Sequence, residues 1–149
     1  MTLKQAIYQH CLQLIGDQIH LLQLKLADLR QSAANETKSS AGDKYETARA
    51  MLHIEQENTH RQLAEALAQQ TILQNIDITA QPNRIGLGSL ITTDQGLLFM
   101  SIPLGKQKIA NNNVIVLSPQ SPLGTKLLGL AAGQSSTINN RVYRIEGVS

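Results

Sequence analysis

Two carboxylates, Asp43 and Glu46, stand three residues apart at the break between two long helical stretches. On a helix that spacing is about one turn, so both side chains share a face. Acids so placed suit two kinds of chemistry. The first is structural. Asp43-Lys44-Tyr45-Glu46 fits a capping box, in which Asp43 accepts from backbone N–H groups of the first turn and Glu46 reaches back to the cap. Both acids also suit the positive end of the helix dipole. The second is metal holding. Magnesium takes one or two protein carboxylates and completes its shell with water and phosphate. Two side chains alone make a weak site, so this chemistry requires a partner that supplies the remaining ligands. The spacing permits both readings.

The elements that must position these acids are legible. From Gln5 to about Ala34 there is no Pro and one Gly, Gly16. Tyr8, Leu12, Ile15, Ile19, Leu22, Leu26, Leu29 and Ala33 keep a 4-3 rhythm, the seam of a coiled coil. Residues 35–42, Asn-Glu-Thr-Lys-Ser-Ser-Ala-Gly, break it with turn formers. A second helix is expected from about Asp43 to Asn75. Tyr45, Leu52, Thr59, Leu63, Ala66 and Leu73 carry its seam, with Arg49, Gln56 and Gln70 between them and Met51, Ile54 and Leu67 off it. Two such helices joined by a short turn predict an antiparallel hairpin, residues 1–77, with its tip at about 35–46. Each arm would span roughly 45–50 Å.

Beyond Asn75 the grammar changes to β-branched residues and turns. Strands are expected at 88–93, 97–102, 113–118, 135–138 and 142–148. Asp94-Gln95-Gly96 and Asn139-Asn140 read as hairpin turns, and 122–128 as a short helix ended by Gly129. The chain is thus expected to be α+β: an antiparallel two-helix coiled-coil hairpin, then a small antiparallel sheet domain, residues 78–149, with one short helix.

Charge is split between the halves. Residues 1–77 carry seven Lys/Arg and nine Asp/Glu; residues 78–149 carry six and two. A dense basic stripe is missing, which disfavours direct nucleic-acid binding. Lys106, Lys108, Arg141 and Arg144 give the second half its charge and suit an acidic protein or nucleic-acid surface, or plain solvation. Aromatic content is 3%, too little for a base-stacking platform. The single cysteine, Cys11, excludes an internal disulfide and a Cys-based zinc site. It reads as a buried thiol. His10, His20, His53 and His60 all fall in the helical arms. His53 and His60 are two turns apart, about 10 Å, too far to share a metal on one helix. No signal peptide or membrane span is apparent, and a cytoplasmic protein is expected.

On these residues the chain resembles the Gre family of bacterial transcription elongation and transcript cleavage factors. The order of hairpin then sheet domain matches. Gly42-Asp43-Lys44-Tyr45-Glu46 matches the family's G-D-x-x-E tip. Ser118-Pro119-Gln120-Ser121-Pro122-Leu123-Gly124-Thr125-Lys126-Leu127-Leu128-Gly129, followed by Gly133, is similar to the family's S-P-x-(G/A)-x-A-L-L-G-x-x-x-G segment. Gly88-Ser89, opening the first strand, also fits.

The resemblance implies an FKBP-like sheet domain docked at the secondary channel of bacterial RNA polymerase, partly through Ser121, Pro122, Leu123 and Gly124. It implies a hairpin inside that channel. Asp43 and Glu46 would help hold magnesium shared with the polymerase, beside the backtracked RNA 3′ end. The chain would be an accessory factor, not an enzyme, with no cofactor of its own and no membrane contact, and a monomer is favoured. The family continues its tip roughly as N-A-E-Y, where this chain has Thr47-Ala48-Arg49-Ala50. That departure points to a channel binder that modulates the polymerase without cleavage. An interaction module outside transcription is a third reading. Prolyl isomerase activity is disfavoured, because Phe99 and Tyr143 are the only aromatics of the second half.

Overall fold

The computed structural model describes residues 1–36 and 42–149, with side chains for 1–35 and 46–149. Two long helices come first: α1, Leu3–Glu36, and α2, Gly42–Gln74. A six-stranded sheet with one short helix follows: β1 Leu90–Thr93, β2 Gly96–Met100, β3 Gly105–Ile109, β4 Asn112–Leu117, α3 Pro122–Leu127, β5 Ser135–Ile138 and β6 Arg141–Val148. The chain divides into two compact units. One joins Met1–Gln13 to Thr71–Ser149, and the other is Leu14–Gln70.

The start of α1 is fixed by a reciprocal cap. The Thr2 N–H donates to Gln5 Oε1 at 2.9 Å, and the Gln5 N–H donates to Thr2 Oγ1 at 3.1 Å. Past the end of α2, Asp77 Oδ1 accepts from the Thr79 N–H at 3.0 Å and from its hydroxyl at 2.6 Å. That side-chain turn offers the backbone an alternative to further helix.

In the Leu14–Gln70 unit the expected seam is the buried face. On α1, Ile15, Ile19 and Leu26 are buried and Leu22, Leu29 and Ala33 half-buried. On α2, Thr59 and Ala66 are buried, while Met51, Ile54 and Leu67 are exposed. The second seam is polar even where it is dry. The Thr59 hydroxyl donates to the Glu55 carbonyl at 2.8 Å, so its burial leaves no open donor. Lys25 lies 3.5 Å from Glu55, tying the two helices on an exposed flank.

The other unit is built around the sheet, in strand order β3-β4-β2-β1-β6-β5. It is mixed, where the sequence led us to expect purely antiparallel pairing: β2 and β4 run parallel, Leu98 opposite Ile115. The cause is β3, a strand the sequence reading did not find. It runs antiparallel to β4 on the sheet's outer edge, Lys106 opposite Ile115. The chain leaves β2, crosses to the edge and returns one strand inward. Its turn, Ala110-Asn111, has φ of 49° and 64° at both residues, a left-handed pair matched by Asn139-Asn140 at 51° and 66°.

Strand alternation gives the sheet two buried faces. Ile91, Leu98, Met100, Leu117, Tyr143 and Ile145 form one core with Leu127 of α3, and Leu123 and Leu130 pack against it. Phe99, Val114 and Val116 point the other way and are equally buried. The same unit also includes Ile7 and Cys11 of α1 and Leu73 of α2, all fully buried. The His10 ring nitrogen sits 3.3 Å from Gln107 Oε1 of β3. The Lys4 ammonium donates to the Ala80 carbonyl at 2.9 Å, and burial lowers its pKa. Among the described residues no helix is long and apolar enough to cross a membrane.

Candidate functional site

Glu46 stands early in α2 and is exposed to solvent. Asp43 lies in the first turn of the same helix. Its side chain lies outside the described residues, and so does the capping geometry expected of it. Helical periodicity places positions 43 and 46 on one face, about a turn apart.

Glu46 does not stand alone. It lines a groove of about 570 Å3 in the Leu14–Gln70 unit, together with Arg49, Ala50, His53 and Gln56 of α2 and Ala33 of α1. Positions 46, 49, 50, 53 and 56 follow the 3-4 spacing of one helix face. That spacing was available in the sequence, where Gln56 reads as an interruption of a seam and Arg49 as that and as a departure from the tip pattern. Arg49 is exposed one turn beyond Glu46. His53 Nε2 lies 3.1 Å from Glu57 Oε1, a pair that carries charge when the imidazole is protonated. The groove therefore presents one carboxylate with a fixed cation beside it. Among the described residues no group of three or more His, Cys, Asp or Glu side chains could hold a metal ion.

The second predicted site, Ser121–Gly124, belongs to the sheet-bearing unit. Ser121 is the N-cap of α3, with φ −66° and ψ 158°. Its hydroxyl accepts from the Gly124 N–H at 3.0 Å and donates to the Ser118 carbonyl at 2.7 Å. Pro122 follows in the first turn, where a missing N–H costs nothing. Gly124 is required by space: an added Cβ would collide with the Ser118 carbonyl oxygen and crowd Ser121 Oγ. Pro122 is exposed, while Leu123 is half-buried against the core. The segment is a rigid capped turn that offers Pro122 to solvent.

Cys11 is fully buried, and desolvation pushes its thiol up to about 11. A thiol so placed is a poor nucleophile.

No family model matches the chain, and no curated protein matches it. Among solved structures it is similar to that of the transcription factor Gfh1, at 17% identity and a TM-score of 0.36, over 96% of this chain and 93% of that one. A likeness at that level decides nothing about function.

Proposed function

We propose that this chain is a Gre-like factor that binds bacterial RNA polymerase with its helical hairpin in the secondary channel and assists cleavage of backtracked RNA. The observation that carries the reading is the exposed Glu46, early in α2, with Asp43 on the same helical face just past the segment that joins the two helices. The G-D-x-x-E match and the Ser-Pro…Leu-Leu-Gly match support it. So does the order of elements, two long helices followed by a small mixed sheet domain.

The chain's own part is to present carboxylates. Two acids fit a magnesium site only as a minority of its ligands, the rest coming from the polymerase and the RNA. Magnesium supplies a Lewis acid that activates water for phosphodiester hydrolysis. Hydrolysis on this reading belongs to the polymerase, and the chain is its accessory, cytoplasmic and without a cofactor of its own. The rigid Ser121–Gly124 turn, with Pro122 exposed, would form part of the docking face.

One observation favours a second reading, a channel binder that modulates the polymerase without cleavage. Arg49 shares the groove of Glu46, and a guanidinium one turn away opposes a second cation at that carboxylate.

A stalled, backtracked elongation complex decides between them. Wild type and the Asp43→Ala/Glu46→Ala variant would be assayed for polymerase binding and for release of short RNA. Cleavage that the double variant loses, with binding retained, supports the first reading. Binding without cleavage in the wild type selects the second. No binding by either protein sinks both.

A further inference from the structure

The sheet-bearing unit carries a second groove, of about 660 Å3, that the polymerase reading does not use. Lys106 and Lys108 of β3, two residues apart on one face of an edge strand, form one wall. Arg141, the first residue of β6, also lines it, although three strands separate β3 from β6. A flat sheet would hold those strands about 19 Å apart. The long lysine and arginine side chains, with the ordinary twist of a sheet, span much of that distance. Ile115, half-buried and paired with Lys106 on the same face, adds apolar surface, and Gln95 an amide.

The groove has three cationic side chains and no acid in its lining. Among the described residues none of the three forms a salt bridge. A monomeric surface normally intersperses signs, and one-sided charge over a concavity concentrates the opposite charge there.

We propose that this groove binds an acidic segment of a partner protein, one that carries apolar side chains between its carboxylates. Charge complementarity supplies the sign of the ligand. The lining chooses between the two acidic macromolecules that meet that sign. A nucleic-acid strand would want aromatic platforms and a longer run of cations, and the groove has no aromatic residue and three cations. An aliphatic contact at Ile115, on the face of Lys106 and Lys108, suits Leu, Ile or Val of a peptide. The inference concerns the sheet domain alone and stands whether or not the hairpin enters a polymerase.

The test is a fluorescence anisotropy titration of the full chain. Its probes are a labelled peptide of Glu-Glu-Leu repeats, the Gln-Gln-Leu counterpart, and a single-stranded DNA of equal net charge. The acidic peptide should bind tightest. Affinity should fall at least tenfold in Lys106→Glu/Lys108→Glu/Arg141→Glu, and again as salt is raised. All three positions are exposed, so the melting temperature should hold. If the triple variant does not fold, the Gln triple at the same positions gives the same readout. Three outcomes overturn the proposal: equal binding of the Gln peptide, tighter binding of the DNA, or undiminished peptide binding by a folded charge variant.

Discussion

The Tyr8 hydroxyl donates to the backbone carbonyl of Leu73 at 2.7 Å, tying the second turn of α1 to the last turn of α2 within the sheet-bearing unit. Carbonyls in a helix's last turn lack intrahelical donors, so a side chain from another element is a useful partner there. The Leu73 carbonyl also accepts from the Ile76 N–H at 3.1 Å. Tyr8→Phe keeps the ring and leaves that second bond. It should therefore cost near the low end of the usual range, about 0.5–1 kcal/mol. Urea unfolding would measure it, and an unchanged midpoint would show that water replaces the hydroxyl without loss.

What the sequence disclosed about this region is uneven, for physical reasons. The seam of α1 was legible because Ile15, Ile19, Leu22 and Leu26 repeat a helical period, and all go inside except Leu22, which is half-buried. The exposure of Met51, Ile54 and Leu67 followed from the same phase. Strand β3 was not legible. Gly105-Lys106-Gln107-Lys108-Ile109 has one β-branched residue and two lysines, the composition of a protected edge. Its turn places Ala110 at positive φ, where no turn rule expects alanine. Missing β3 meant missing the parallel β2/β4 pair, since in this chain β3 is the strand that turns the chain back in that direction. The face Glu46 shares with Arg49 and His53 could have been read from spacing alone.

Gly88 and Gly133 have the same backbone angle, φ +91°, in different surroundings. A Cβ at Gly88 would lie 2.7 Å from Ile76 Cγ2, whereas one at Gly133 meets nothing within 4 Å. Gly133→Ala should therefore cost the left-handed backbone penalty alone, about 1 kcal/mol. Gly88→Ala should cost that plus overpacking, a further 1–3 kcal/mol or so. Chemical denaturation of the two variants separates the terms. Equal losses would mean that Ile76 moves aside freely.

Cys11 makes stability depend on pH at the alkaline end. Burial raises its thiol from 9.0 to about 11 in the folded chain. The fold thus holds the proton more tightly than the unfolded chain does. The stabilisation is complete below pH 9 and is lost as pH rises towards 11. Lys4 works the other way, because burial lowers its pKa and its charged form is the disfavoured one. The thiol's share is read by difference: between pH 8 and 11 the wild type should lose more stability than Cys11→Ala. The gap should approach about 2–3 kcal/mol. Parallel slopes for the two proteins would place the thiol in contact with water. Modification by a thiol reagent at pH 8 should likewise be slow in native protein and fast in urea.

Arg49 lies one helical turn beyond Glu46. The two side chains line one groove, a helical turn apart. At a separation of roughly 6 Å in water, a guanidinium disfavours a second unit charge at the carboxylate by about 0.7 kcal/mol, and a divalent ion by about twice that. If Glu46 and Asp43 help hold magnesium in a polymerase, Arg49→Ala should raise RNA cleavage in a backtracked complex by roughly three- to tenfold at limiting magnesium. The gain should shrink as magnesium is raised to saturation, while affinity for the polymerase stays the same. Arg49→Glu should exceed Arg49→Ala, because it adds a carboxylate on the same face. The Asp43→Ala/Glu46→Ala background should abolish both gains, since no acid pair then remains for the arginine to oppose. A gain that survives in that background would mean that Arg49 acts on the polymerase or the RNA and not through Glu46. No gain at any magnesium concentration, with binding intact, would leave the hairpin as a modulator of the channel.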